Sequence, residues 1–196
     1  MPSPIAHSSL LLMAWPSMRE RLGALSPMRR GLFLIWLTFA LLAPDLDLLI
    51  GVVTGQGLRP LHGGPTHSLL LAPLFGLLWM WPGRAIGGGA WRYRTLFICA
   101  TLAYASHVLL DVFTPGRGVA LLWPLPLGDQ AWFSLKPQRF GSPIPLFVGV
   151  EHSNWRDLGH HALTLVTELA FAAVMFGVGL ALARSRPHTT APTKQP

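Results

Sequence analysis

The chain has 196 residues, of which 51% are hydrophobic and only 12% are charged, whereas an ordinary soluble domain carries about 25% charged residues. This deficit of charge argues against a soluble protein and indicates a membrane protein of about one domain. The net charge of +7 does not point to nucleic acid, because the basic residues form small clusters between apolar runs instead of following one polar face.

The first predicted element is an apolar segment at the N-terminus, residues 5–15. It is too short to cross a bilayer unaided, and it lacks the basic start and the small-residue cleavage site of a secretory signal peptide. We therefore expect a short helix that packs on the rest of the protein. The next segment, 18–30, contains four arginines and is predicted to be a loop.

Four later segments are apolar enough to cross a membrane as helices, which takes about 20 residues each. These segments are 31–53, 68–81, 93–112 and 162–183. The second is short for a full span and needs some tilt or local thinning of the bilayer. Cys99, the single cysteine, lies inside the third and is expected to act as a small hydrophobic residue. Glu168 interrupts the fourth, where pairing inside the bundle is expected.

The remaining segments connect or end these helices. Residues 82–94, with three arginines and a triple glycine, are predicted to form a loop. Residues 114–159 are rich in proline and aromatic side chains, which favours an ordered external cap at the membrane surface. Residues 184–196 are predicted to be a disordered tail. We expect one membrane-embedded, all-α domain over 1–183, with about four spanning helices, a short N-terminal helix and a long non-cytoplasmic loop.

The positive-inside rule predicts the orientation of this bundle. Most of the 15 basic residues become cytoplasmic if the Arg-rich N-terminal loop and the C-terminus face the cytoplasm of a bacterial-type inner membrane. The same orientation places the histidines and the aspartates of several segments together at the outer surface. His160 and His161, just before the fourth span, also fall on that side.

The first group of polar residues is Asp45 and Asp47, directly after Pro44. On a regular helix, side chains two residues apart point in nearly opposite directions, at ~100° per residue. Both acids can serve one centre only if the helix ends or bends, which Pro44 makes plausible. Alternatively, the acids cap a helix that begins near Pro44.

Two further groups contain histidine. His62 and His67 flank a Gly-Gly-Pro turn that enters a helix, although loop histidines are often simply solvated. His107 and Asp111 are one helical turn apart and share a face, so they can bind one cation or two adjacent ones. An ionisable pair in an apolar helix is by default functional; the alternative is a hydrogen bond that pins the helix end. A catalytic triad with Ser106 is disfavoured, because adjacent side chains on a helix point apart.

Carboxylates and imidazoles without thiolates suit Zn, Mn or Fe, and such an ion can activate a water molecule as the nucleophile of a hydrolase. The order of these motifs resembles the YdjM-type inner-membrane-bound metal-dependent hydrolases. The matching elements are His7, the Asp-x-Asp pair Asp45 and Asp47, the His-x-x-x-Thr-His-Ser motif at 62–68, the Ser-His-x-Leu-Leu-Asp motif at 106–111, and Leu-Leu-Trp-Pro at 121–124. The resemblance covers residues 1 to about 125.

The resemblance implies a divalent-metal hydrolase with distant similarity to zinc-dependent phospholipase C. It implies His67, His107 and Asp111 as leading metal ligands, followed by Asp45, Asp47 and His62, with His7 as a further candidate. The implied substrate is a phosphoester, either a small molecule or lipid-linked, with membrane lipids as neighbours. The family commonly has arginine where this chain has Gly63, which leaves substrate choice open. The alternatives are a metal or proton transporter and a membrane protein with a structural metal site.

Overall fold

A computed structural model describes residues 4–55, 62–112, 118–126 and 158–185. The regular elements within these ranges are helices, and 118–126 consists mainly of turns. The helices are α1 (Pro4–Gly23), α2 (Pro27–Leu42), α3 (Leu46–Val53), α4 (Ala72–Gly87), α5 (Tyr93–Val112) and α6 (Leu158–Arg184). Four helical stretches are long and apolar enough to cross a membrane, namely Pro27–Val53, Leu69–Ala90, Tyr93–Val112 and Ala162–Arg184. The predicted all-α bundle with four spans is therefore confirmed.

The two Arg-rich loops are shorter than predicted. Helix α1 continues through Pro16 to Gly23, and α2 already begins at Pro27, where the Ser26 side chain accepts a hydrogen bond from the Arg29 amide. Arginine is a good helix former and proline suits the first helical position. A cluster of arginines therefore does not by itself indicate a loop. In the same way, α4 runs past Pro82 to Gly87.

Tryptophans and glycines hold α2 against α4. The indole nitrogen of Trp36 donates to the Trp79 carbonyl at 2.9 Å, and that of Trp79 donates back to the Trp36 carbonyl at 3.1 Å. Gly83 lets the helices approach closely, since a Cβ there would lie 2.6 Å from the Trp36 ring. Close approach at small residues is the usual way in which membrane helices pack.

The two ends of the bundle differ in chemistry. The basic residues within the described ranges all lie toward the end formed by the α1–α2 turn, the α4–α5 turn and the end of α6: Arg19, Arg21, Arg29, Arg30, Arg84, Arg92, Arg94 and Arg184. The opposite end holds the start of α1, the α2–α3 junction and the end of α5. The positive-inside rule predicts that the Arg-rich end faces the cytoplasm.

Helices α1 and α6 run in the same direction and touch at Gly179. Ala6 packs near Phe171, and further along both helices Gly179 lies against the backbone of Met13. A Cβ at residue 179 would collide with the Met13 carbonyl oxygen, whereas one at Gly177 meets nothing within 4 Å. The contact thus fixes how far α1 stands from α6.

We expect Gly179→Ala to separate α1 from α6 and to lower the free energy of unfolding by about 1–3 kcal/mol, the usual cost of overpacking. Gly177→Ala, on the same helix, is the matched control and should melt like the parent protein. Thermal unfolding of the detergent-solubilised chain measures both effects. Equal melting temperatures for the two variants would contradict the packing of α1 on α6.

Candidate metal centre

The α2–α3 junction brings both aspartates of the first span to one place. Helix α2 ends at Leu42, a 3-10 turn covers Ala43–Asp45, and α3 starts at Leu46. The break predicted at Pro44 is therefore confirmed. Asp45 is the N-cap residue of α3, but its side chain makes no capping hydrogen bond. Its carboxylate turns instead toward histidines of other helices.

Four donor atoms from three chain segments, namely the α2–α3 junction, the 65–67 turn and α5, converge at this end of the bundle. Asp45 Oδ1 lies 3.3 Å from His107 Nε2 and 3.7 Å from His67 Nε2. Asp111 Oδ2 lies 3.0 Å from His67 Nε2 and 3.4 Å from His107 Nε2. Donor atoms at bonding distance around a tetrahedral zinc ion are separated by about 3.3 Å. The measured separations bracket that value, so the donor set has the spacing of a metal site.

A second group shares Asp111 and adds His7 from α1. His7 Nε2 lies 3.7 Å from Asp111 Oδ1, and the His7 ring stacks on the His107 ring with centroids 3.8 Å apart. Candidate ligand atoms of His7, His107 and Asp111 lie within 4.8 Å of one another, as do those of Asp45, His62, His67 and Asp111. Asp111 therefore belongs to both groups, with Oδ1 toward His7 and Oδ2 toward His67 and His107, and it would offer an oxygen to a cation held in either group.

The histidine atoms that face these positions are buried without hydrogen bonds. His67 and His107 are fully buried and His7 is 1% exposed. Among the described residues, His67 Nε2 and both ring nitrogens of His7 and His107 have no hydrogen-bond partner, and neither has Asp45 Oδ1. An unsatisfied buried polar group costs about 1–3 kcal/mol, and native proteins contain few of them. A divalent cation would satisfy several at once, so the residues fit a metal.

Asp47 has a different set of neighbours from Asp45. Its Oδ2 accepts hydrogen bonds from the Gly63 amide at 3.1 Å and from Thr66 Oγ1 at 2.8 Å. The same oxygen lies 3.2 Å from His67 Nδ1, on the side of the ring away from the donor cluster. A carboxylate behind a ligating histidine is the usual device for fixing the ring. The arrangement favours a positioning role for Asp47. From the sequence, Asp45 and Asp47 were both expected to be metal ligands.

His62 lies at the edge of the cluster. Its Nδ1 is 3.2 Å from Asp47 Oδ1 and 3.9 Å from Asp45 Oδ1. Its side chain is 13% exposed and that of Asp45 is 21% exposed, while the other donors are buried. The cluster is therefore most open on the side of His62 and Asp45.

The segment 118–126 supports the histidine loop from outside. The Ala120 amide donates to the Gly63 carbonyl at 2.7 Å, and the Leu69 amide donates to the Leu121 carbonyl at 2.9 Å. Ser68 Oγ donates to the Trp123 carbonyl at 2.6 Å. The His-x-x-x-Thr-His-Ser motif at 62–68 and the Leu-Leu-Trp-Pro motif at 121–124 are thus held together by hydrogen bonds.

Sequence reasoning missed two further supports of this loop. The Tyr104 hydroxyl donates to the Thr66 carbonyl; the available signal was its position three residues before His107, on the same helix face. Gly63 adopts φ +77°, a conformation that glycine accepts without strain, while its amide reaches Asp47. Glycine at position 63 therefore has a local structural use.

His67 and His7, which both lie outside the candidate spans, differ in charge. Burial disfavours the charged form of His67, but the adjacent carboxylates of Asp111, Asp45 and Asp47 outweigh it and raise its pKa to about 11. Burial and then the neighbouring His107 lower the pKa of His7 to about 3. At neutral pH and without metal, His67 is therefore protonated and His7 is neutral. A cation that binds His67 has to displace that proton.

The structure brings together all seven predicted site residues, with Asp47 behind the cluster and His62 at its edge. Glu168 is 1% exposed on α6 but is not a member of either candidate group. The side chains of His160 and His161 lie outside the described part of the chain. So does the predicted cap at 114–159, apart from 118–126 and the first residues of α6, and the predicted tail beyond residue 185.

Comparison with known proteins adds one finding. The model of a family described as YdjM inner membrane protein matches residues 5–185. The match extends through the fourth apolar span, beyond the motifs that end near residue 125. No curated protein and no solved structure gave a match.

Proposed function

Because the chain belongs to the YdjM inner membrane protein family, we propose that it is a membrane-bound, metal-dependent hydrolase that cleaves phosphoesters at the non-cytoplasmic surface. The buried donor cluster carries the proposal: in the described part of the chain, Asp45 Oδ1 and the Nε2 atoms of three histidines (His7, His67 and His107) meet without hydrogen-bond partners. A divalent cation would give these atoms a partner. Zinc fits the donor set best, and Mn or Fe are also compatible.

The chain's own residues divide the work. Asp45, His67, His107, Asp111 and His7 would hold one or two ions, which when bound supply a Lewis acid and lower the pKa of a water molecule. Asp47 orients His67. The exposed side of the cluster, at Asp45 and His62, is where a substrate would approach, and His62 is placed to exchange a proton with it.

The position of the cluster favours a hydrolase over a transporter. A translocation path needs polar groups at several depths of the membrane, whereas all members of the cluster lie at one end. Toward the Arg-rich end, the described core is built from large apolar side chains, among them Leu22, Phe33, Trp36, Leu37 and Leu96. A structural metal site would be closed by its ligands, whereas this cluster is partly open beside Asp45.

Hydrolysis by the purified full chain in detergent tests the proposal. The substrates are an aryl phosphomonoester, an aryl phosphodiester and a phospholipid, each offered to protein loaded with Zn, Mn or Fe. We expect turnover of at least one that a chelator abolishes and added metal restores. Turnover that survives chelation, or no turnover with any pair of metal and substrate, would contradict it. Metal flux into sealed vesicles would favour the transporter instead.

A further inference from the structure

An apolar groove follows the outer face of α2 and ends at the metal centre. Its volume is about 350 Å³. The apolar side chains along it are Leu34, Ile35, Phe39, Leu42 and Leu46. Thr38 also lines it, and Asp45, at one end, is the charged residue among the described groove residues. The Oδ1 atom of this Asp45 lies 3.3 Å from His107 Nε2.

The groove faces away from the protein core, within a stretch apolar enough to span a membrane. Ile35 is 62% exposed and Phe39 is 50% exposed, and both lie within the candidate span Pro27–Val53. Apolar surface of this kind on a spanning helix is covered by lipid tails. The groove is thus open to the bilayer along its length and reaches polar chemistry at one end.

The length of the groove matches one leaflet. From Leu34 to Asp45 the chain rises about 16 Å at helical pitch, and half of the hydrocarbon core of a bilayer is about 15 Å. Asp45 lies toward the surface and Leu34 toward the middle of the membrane. A lipid tail that lies along α2 therefore brings its headgroup to the level of Asp45.

We propose that the substrate is a membrane lipid that reaches the site sideways from the bilayer, with a hydrocarbon tail in the α2 groove and its phosphoester at the cations beside Asp45. This inference rests on the proposed hydrolase function and names its substrate class. Asp45 and Asp111 would hold the cations that attract the anionic phosphoester, while Phe39 and Leu42 contact the tail. A water-soluble phosphoester would use only the first of these interactions.

A second apolar cavity is less suited to this role. It has about 310 Å³ between α1, α2 and α5, and residues such as Leu11, Leu37 and Leu109 line it. Ser106 also lines this cavity, but none of the cluster's side chains does. A tail in this cavity would leave its headgroup without a donor from the metal centre.

Blocking the groove at two depths tests the inference. Leu42→Trp fills it near Asp45 and Leu34→Trp fills it near the middle of the bilayer, while Leu78→Trp, at a 64% exposed position of α4, is the matched control. Rates are measured on a water-soluble phosphodiester and on phospholipids with short and long tails. We expect Leu34→Trp to lower the rate on the long-tailed lipid, relative to the soluble substrate, by about tenfold. Leu42→Trp should lower the relative rate on both the short-tailed and the long-tailed lipid. Leu78→Trp should lower neither.

A binding experiment keeps this inference separate from the proposed function. Vesicles that contain a phospholipid with a photoreactive tail are cross-linked to the metal-loaded full chain, and the modified residues are mapped by mass spectrometry. We expect labels along the groove, between residues 34 and 46, at least several-fold above those around Leu78. Equal labelling of both helices, labels confined to the second cavity, or unchanged rate ratios in both groove variants would overturn the proposed tail site. Specific labelling without turnover of any substrate would instead overturn the hydrolase.

Discussion

Asp111→Asn should empty both candidate cation positions, whereas His7→Ala should empty only one. Asp111 is the member that the two groups of donors share: its Oδ2 faces His67 and His107, and its Oδ1 faces His7. Asparagine keeps the shape of the side chain but offers one neutral oxygen and cannot bridge two ions. Loss of the shared ligand should weaken binding by more than the 10–100-fold that is typical for a supporting residue.

The measurement is the metal content of the purified full chain by mass spectrometry after dialysis against metal-free buffer. Ser106→Ala is the matched control, because Ser106 precedes His107 on α5 and donates only to the Ala103 carbonyl, at 2.7 Å. This variant should keep its full metal content. An unchanged metal content in Asp111→Asn would contradict the proposed metal centre. Loss of hydrolysis with retained metal in Ser106→Ala would revive the serine triad.

The large features of the fold could be predicted because they depend on composition and chain order. A run of about 20 apolar residues has few alternatives to a spanning helix. Once four such helices alternate in direction, the end of the first, the start of the second and the end of the third meet at one surface. Asp45, His67 and His107 could therefore be expected together without any coordinates.

The separate roles of the individual site residues could not be predicted because they depend on tertiary contacts. Whether Asp45 or Asp47 faces the cations is decided by the 3-10 turn after Leu42 and by the Gly63 amide and the Thr66 hydroxyl that reach Asp47. Neither contact leaves a periodic signal in the sequence. The lining residues of the α2 groove do repeat at helical spacing in the sequence, but that pattern alone does not show that this face is exposed and ends beside the metal centre.

Asp47→Asn should lower metal affinity by about 10–100-fold without changing the number of ions bound at saturation. The amide retains the size of the carboxylate, and its oxygen in the place of Oδ2 can still accept from the Gly63 amide and Thr66 Oγ1, but it presents no negative charge to His67 Nδ1. Its NH2 group takes the place of the oxygen that faces His62, so His67 is held less firmly. Titration of the metal-free chain with zinc in competition with a chromophoric chelator measures both affinity and stoichiometry.

Tyr104→Phe, which removes a different support of the same loop, is the comparison: it should weaken binding less, because it leaves the charge beside His67 in place. If Asp47 is itself a ligand, Asp47→Asn will instead reduce the number of bound ions, as expected for Asp111→Asn. That result would contradict the positioning role of Asp47.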